Sequence, residues 1–247
     1  MRNFKVLTLN IHKGFSMGNR RFTLESIRQN LRDSGSNICF LQEVIGENHR
    51  HRQAIDGWPE SNQFEFLADT VWQHYAYGKN AIYNHGHHGN AILSELPFAE
   101  FNNIDVSTHS FSQRGILHGR LENDVHLLCV HFGLLERERK QQIAKLVSHI
   151  KNEIPANAPL VLAGDFNDWR RSAHRMLKRE CDLVEASECL NQKLAITYPA
   201  ILPVLPMDRI YLRGFSVESI DIMADSGWRQ LSDHCAIVAE LSLQGRD

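Results

Sequence analysis

The residues able to do chemistry fall at the ends of apolar runs. Leu160-Val161-Leu162-Ala163 reads as a buried strand bounded by Pro159 and Gly164, and it runs into Gly164-Asp165-Phe166-Asn167-Asp168. A strand that stops there delivers a carboxylate and a carboxamide to one edge of a sheet. Far along the chain, Leu231-Ser232-Asp233-His234 opens a second apolar run, Cys235-Ala236-Ile237-Val238-Ala239. Two acid-bearing strand ends so far apart in sequence predict a site assembled by the fold, the way metal-assisted phosphate chemistry is usually built. Asn10, Glu43, His131 and Asp208 also sit at the ends of apolar strand-like runs.

Phosphate-ester hydrolysis needs an activated water, neutralised charge on the phosphoryl oxygens and help for the departing oxygen. Asn10, Glu43 and Asp233 offer oxygen ligands suited to a hard cation, Mg²⁺ or Mn²⁺. No His/Cys set with structural-zinc spacing stands out. A histidine beside a carboxylate can act as a general base or bind phosphate as imidazolium. Each residue also has a plainer reading. Asn10 could be a turn residue, Glu43 a solvated side chain and His131 a satisfied strand-end histidine. Asp165 and Asn167 could shape an Asx-turn. Asp208 with Arg209 could be a surface ion pair worth little.

The elements that must position these residues follow from hydrophobic spacing. Residues 4–10, 38–44 and 90–94 read as strands, and residues 115–122 and 125–130 as a hairpin across Asn123-Asp124. Residues 22–31, 137–150 and 173–177 have helical spacing. Phe64, Leu67, Val71 and Tyr75 suggest another helix, and residues 210–212, 217–222 and 236–241 supply the last strands. Helices alternate with strands early and strands dominate later, which predicts an α/β or α+β fold with largely buried sheets. No linker composition or repeat period divides the chain, so residues 1–247 are expected to form one domain.

Taken in order, the pieces resemble the endonuclease/exonuclease/phosphatase superfamily, with its DNase I-like fold. The matching segments are Leu9-Asn10-Ile11, Leu41-Gln42-Glu43-Val44, Gly89-Asn90-Ala91-Ile92-Leu93-Ser94 and Val130-His131-Phe132. Gly164-Asp165-Phe166-Asn167, Asp208-Arg209-Ile210-Tyr211 and Ser232-Asp233-His234 follow in the family's order. The resemblance implies an α+β, four-layer αββα sandwich of two packed mixed β-sheets flanked by helices. It implies Glu43 as the principal metal ligand, with Asn10 and Asp233 close to the same Mg²⁺ or Mn²⁺ ion. Asp165 would orient or deprotonate the attacking water, and Asn167 would bind the scissile phosphate. His234, oriented by Asp208, would contact the phosphate, and His131 would assist the leaving group or bind a phosphoryl oxygen. Cys235 departs from the bulkier residue expected after the Asp-His pair. His12 and Lys13 have no assigned role, a phosphate contact by Lys13 or Arg114 is open, and the tract His85-Gly86-His87-His88 could suggest a second metal site but reads more simply as a flexible surface loop at the site rim.

The superfamily acts on DNA, RNA tails, inositol phosphates and sphingomyelin, so the fold leaves the ester open. The segments around Asn90 and His131-Phe132-Gly133-Leu134 look more like the sphingomyelinase-type and bacterial uncharacterised branches than abasic-site nucleases. A net charge of −2 leans the same way, since binding through the nucleic-acid backbone favours a basic excess. A phospholipid-like or small phosphodiester is therefore the expected substrate. A nuclease holding nucleic acid through Arg170, Arg171 and Arg175 is the alternative, and a non-catalytic binding protein is the remote one. Ile201-Leu202-Pro203-Val204-Leu205-Pro206 is the sole candidate for membrane insertion, and it reads more simply as a loop leading to Asp208. The five scattered cysteines show no CxxC pair, so Cys39 and Cys129 are expected as buried hydrophobes. With no apolar leader or 18-residue apolar span, a cytoplasmic, monomeric protein is expected.

Overall fold

A computed structural model of the chain describes residues 3–109, 112–191 and 193–245. The strands are β1 (Asn3–Asn10), β2 (Ile38–Asn48), β3 (His74–Tyr83), β4 (Gly86–Ser94), β5 (Phe98–Asp105) and β6 (Gly115–Leu121). They continue as β7 (His126–His131), β8 (Leu160–Asp165), β9 (Val184–Glu185), β10 (Asp208–Arg213), β11 (Phe215–Met223) and β12 (Ala236–Leu243). The helices are α1 (Leu24–Asp33), α2 (His49–Ala54), α3 (Gln63–Ala68), α4 (Glu136–Glu153), α5 (Ser172–Cys181) and α6 (Ala186–Asn191). One six-stranded sheet runs β11-β12-β1-β2-β4-β3 and the other β5-β6-β7-β8-β10-β9. Among the described residues, only the pairs β1–β2 and β7–β8 are parallel, so both sheets are mixed.

Strand alternation divides the apolar residues into three layers of core. Phe4 and Val6 of β1, Ile38 and Phe40 of β2, and Val161 and Ala163 of β8 fill the space between the sheets. The residues between them face outward. Leu7, Leu9, Cys39 and Leu41 pack under α1 and α3. Leu128, Val130, Leu160 and Leu162 pack under α4 and α5. The result is the expected helix–sheet–sheet–helix sandwich, an α+β fold.

Two local predictions need correction. The spacing from Phe64 to Tyr75 is not one helix. A capping box at Asn62 and Glu65 starts α3, Asp69 stops it with φ 46, and Tyr75 already belongs to β3. The histidine tract is not a loop either, because Gly86, His87 and His88 pair with Asn48, Glu47 and Ile45 of β2. Cys39 and Cys129 are free, buried strand residues, as their apolar surroundings predict. Among the described residues, no helix is long and apolar enough to cross a membrane.

Candidate active site

The topology sends the polar strand ends to one edge of both sheets. β1, β2, β7 and β8 arrive there with their C-terminal ends, because each pair is parallel. β4, β10 and β12 start there, because each is antiparallel to its neighbour. Thus Asn10 ends β1, His131 ends β7, Asp165 ends β8, Asp208 begins β10, and Asp233-His234 precede β12. His131 and Asp208 are both in register with Asp165.

Glu43 reaches this edge through a bulge. Leu41 pairs with Ala91 and Val44 with Gly89, so Gln42 and Glu43 together oppose Asn90. A bulge of this kind bends the strand and re-aims a side chain. Without it, Glu43 would share the outward face of Cys39 and Leu41. Glu43 takes φ 57, and His12, Lys13 and Asn167 are also left-handed, with φ 46, 58 and 49. Gly164 has φ +144, and a Cβ there would run into the Val130 carbonyl of β7. Glycine is therefore what allows β7 and β8 to close up immediately before Asp165.

A cavity of about 290 Å³ opens at this edge, lined by Asn10, Glu43, His131, Asp165, Asn167, Asp233 and His234. Asp208 lies behind His234, fully buried. The eight sequence-predicted residues are thus brought together, seven on the cavity wall and one beneath it. Asn10 Nδ2 bonds Asp165 Oδ2 at 3.2 Å and ties the two sheets together. Asp165 Oδ1 accepts from the Asn167 backbone N–H at 3.0 Å, and Asn167 Nδ2 donates to the Phe132 carbonyl at 2.9 Å. Asp208 Oδ2 lies 2.8 Å from His234 Nδ1 and accepts from Thr197 Oγ1 at 2.6 Å. His234 Nε2 is left facing Asp165 Oδ2 at 3.8 Å, and His131 Nε2 approaches the same oxygen at 3.5 Å.

The electrostatics follow from burial and charge. Burial alone would push Glu43 up, yet the combined pull of His131, Lys13, His88 and His12 holds its carboxyl at about 2. Burial pushes Asp165 above the carboxylate range, with Asp208 adding to the rise and His234 opposing it. Burial would depress His234, but Asp208 and Asp165 raise it to about 10. His131 is lowered by burial and by the Arg114 charge. The site therefore sets a histidine that favours its charged form beside one that favours its neutral form.

The oxygen set fits a hard divalent cation. Glu43 Oε2 is shielded from solvent and has no hydrogen-bond partner, with Lys13 Nζ 3.5 Å away. A second group, Asp165, Asp208 and His234, puts three potential ligand atoms within 4.8 Å of one another. There, however, Asp208 Oδ2 is already engaged by His234 Nδ1 and Thr197 Oγ1, and only Asp208 Oδ1 is without a hydrogen-bond partner.

Lys13 and Arg114, whose contact the sequence leaves open, and His88 of the rim tract do reach the site, whereas local sequence does not disclose Thr197 or Tyr198. His88 and Arg114 flank Glu43 and His131 in a small adjoining recess, and Lys13 and Arg114 both line the main cavity. Thr197 holds Asp208, Ser232 Oγ donates to the Asn10 carbonyl at 2.6 Å, and the Tyr198 ring lies 4.9 Å from that of His234. Asp208-Arg209 is not a surface pair. Arg209 is fully buried, and its guanidinium binds the Asp168 carboxylate at 3.1 Å, the Asp168 carbonyl and the Pro206 carbonyl.

The Endonuclease/Exonuclease/phosphatase family pattern matches residues 7–234. The chain belongs to this family. An Escherichia coli (strain K12) family relative, the uncharacterized protein YbhP, is 42% identical over 98% of this chain and 97% of its own length. The fold is also that of an endonuclease/exonuclease/phosphatase from Beutenbergia cavernae, with TM-score 0.81 and 19% identity over 99% of this chain and 72% of that one. It is shared with D. rerio TDP2 complexed with single-strand DNA product, at TM-score 0.69 and 17% identity over 97% and 99% of the two chains. A Bacteroides thetaiotaomicron mannosyl-6-phosphatase has TM-score 0.70 and 16% identity over 97% and 100%. Members of the endonuclease/exonuclease/phosphatase family are generally hydrolases that typically use divalent metals, and they include nucleases, phosphatases and phosphodiesterases.

Proposed function

We propose that the protein is a divalent-metal-dependent phosphodiesterase acting on a phosphodiester that carries an apolar, lipid-like group. The observation that carries this reading is the composition of the cavity mouth. Leu134, a cavity-lining residue, is 61% exposed, and its neighbour Leu135 is 58% exposed. Beyond cavity-lining Tyr198, a loop closed by the Leu205 N–H to Tyr198 carbonyl bond lifts Ile201, Leu202 and Val204 into solvent, at 57%, 71% and 60% exposure. The stretch from Ile201 to Pro206 does lead to Asp208, and it connects the cavity-lining residues Tyr198 and Met207. Exposed apolar residues gathered at a site mouth favour an apolar ligand or surface. Of the three arginines expected to hold nucleic acid, Arg170 is paired with Glu136 and Arg175 donates to the Arg170 carbonyl.

Glu43, Asn10 and Asp233 would hold the cation, Mg²⁺ or Mn²⁺, which would supply neutralisation of charge on the phosphoryl oxygens. Asp165, fixed by Asn10 and the Asn167 backbone, accepts the proton of the attacking water. The Asn167 carboxamide and the His234 Nε2–H, aimed by Asp208, donate to phosphoryl oxygens. The water oxygen bonds to phosphorus as the ester oxygen leaves, and His131 assists that departure. Lys13 and Arg114 add positive charge along the cavity wall.

The test is turnover of lysophospholipid, plasmid DNA, single-stranded RNA and bis-p-nitrophenyl phosphate, with and without Mg²⁺. Metal-dependent cleavage of lysophospholipid, selectively weakened by Leu134→Ser or Leu202→Ser while bis-p-nitrophenyl phosphate is still cleaved, supports the reading. Preferential DNA or RNA cleavage overturns the lipid assignment. Cleavage that survives Glu43→Ala overturns the metal-dependent chemistry.

A further inference from the structure

Three histidines from three elements stand in line on the outer face of the second sheet, away from the cavity. His118 Nε2 lies 2.9 Å from His126 Nδ1, and His118 Nδ1 lies 3.0 Å from His149 Nε2. They line a cleft of about 580 Å³ together with Glu153. His126 begins β7 and His131 ends it, so the cluster lies about 17 Å along the strand from the candidate active site.

We propose that His118 Nδ1, His149 Nε2 and the Glu153 carboxylate form a second metal site, selective for a transition metal of the Zn²⁺ class. A neutral imidazole has one N–H and one lone pair. With the His118 Nε2–H donating to His126 Nδ1, the His118 lone pair lies at Nδ1 and accepts the His149 Nε2–H; metal binding takes the place of that proton, which His149 gives up as it shifts to its Nδ1–H tautomer. A ligating histidine commonly uses its other nitrogen in this way, and the partner sets its tautomer and orientation. His126 is the positioning residue.

Zn–N bonds of about 2.0–2.1 Å in tetrahedral geometry need the two nitrogens about 3.3 Å apart, a small opening of the present 3.0 Å. His149 lies on α4 and is only half-buried, so it can move by that amount. Glu153 follows it by four residues on α4, which puts both on one helix face. Glu153 is exposed, and its carboxylate can swing to the ion. The nearby acids Glu100 and Asp124 are already bound to Arg120 at 2.9 Å each, leaving Glu153 as the third ligand. Burial, together with the charges of His149 and His126, lowers His118 to about 4, so its ring is neutral near pH 7. Neutral imidazole is the ligating form. Imidazole nitrogen favours Zn²⁺, Co²⁺ or Ni²⁺ over Mg²⁺, opposite to the oxygen-rich cavity at the other end of β7.

The experiment titrates Co²⁺ into the full chain carrying Glu43→Ala, so that the candidate active site is silenced, and reads the visible d–d absorption. The expected result is a saturable spectrum that Zn²⁺ displaces and excess Mg²⁺ does not. Adding His149→Ala or His118→Ala should abolish it with far-UV circular dichroism unchanged. If the His118 variant fails to fold, His149→Ala on the helix surface carries the test. His126→Ala should keep the spectrum and weaken Zn²⁺ binding by about 10- to 100-fold. No Co²⁺ spectrum in the Glu43→Ala chain, or a spectrum that persists in folded His149→Ala, overturns the proposal.

Discussion

Replacing Asp168 with alanine should be the most damaging single change outside the cavity. The carboxylate is fully buried between two fully buried guanidiniums, 3.1 Å from Arg209 Nη1 and 3.8 Å from Arg139 Nε. It also caps α5, accepting from the Ser172, Ala173 and His174 backbone N–H groups at 2.9, 2.8 and 3.3 Å. Removing one partner of a buried pair costs about 3–5 kcal/mol, because the remaining charge is left uncompensated. The lost cap alone would cost about 1 kcal/mol, but one carboxylate serves both roles and the two losses overlap. Asp168→Ala should therefore lose about 3–5 kcal/mol, a large share of the roughly 5–15 kcal/mol typical of a folded protein. Arg209 also binds the Asp168 and Pro206 carbonyls, so the same change loosens the segments carrying Asn167 and Asp208. Urea unfolding followed by circular dichroism measures the loss. Combining Arg209→Met with Asp168→Ala should cost less than the sum of the two single losses by about 1 kcal/mol or more, since contacting residues couple by about 0.5–3 kcal/mol. A single-mutant loss below about 1 kcal/mol, or a double mutant no better than the sum of the singles, refutes the argument.

Other expectations follow from the site and its supports. Glu43→Ala should remove calorimetric Mg²⁺ binding at the cavity and slow bis-p-nitrophenyl phosphate hydrolysis by about 10²- to 10⁴-fold, as the loss of several kcal/mol of charge stabilisation requires. Gly164→Ala should cost at least about 1–3 kcal/mol in urea unfolding, because φ +144 suits glycine and the new Cβ meets the Val130 carbonyl. Burial raises Glu185 to about 7, above its ordinary 4.5. Its contribution to stability is therefore full below pH 4.5 and lost as pH rises through about 7. Melting temperatures should show Glu185→Gln gaining on the wild type between pH 5 and 8, and an unchanged difference across that range would contradict the assignment.

The fold was legible wherever burial imposes a periodic pattern. β8 and β7 are buried along their length, and their apolar runs announce them. β5 does not announce itself. Phe98–Asp105 is a largely exposed sheet-edge strand, so its stability comes from pairing with β6 and its residues need not be apolar. β3 is similarly hidden at the other sheet's edge. In the site, strand-end acids stand out because each interrupts an apolar run. Arg209 and His88 do not, since what buries Arg209 is Asp168, 41 residues away, and what brings His88 towards Glu43 is the register between β2 and β4. The His118–His126–His149 line is equally invisible, because it exists only once β6, β7 and α4 are stacked.

The backbone at the cavity shows where the fold concentrates its strain. Glu43, His12, Lys13 and Asn167 are left-handed, a conformation costing non-glycine residues about 1–3 kcal/mol each unless the surroundings impose it. The surroundings do so at identifiable points. Buried Gln63 receives the Ile45 N–H at 2.9 Å and donates to the Lys13 carbonyl at 2.9 Å, so one amide clamps the β2 backbone just past the bulge and the loop after β1. Asn10 Oδ1 accepts the His12 N–H at 3.0 Å, and Ser232 Oγ holds the Asn10 carbonyl. The segments bearing Asn10, Lys13, Glu43 and Asp233 are thus fastened to one another by buried and part-buried polar bonds that apolar packing alone could not supply. A regular strand would turn Glu43 towards the α1 layer; bulge, left-handed residue and Gln63 clamp together turn it into the cavity, where its shielded oxygen lacks a hydrogen-bond partner. The strained backbone thus sets a shielded carboxylate oxygen in the cavity with the Lys13 ammonium 3.5 Å away as its charge partner.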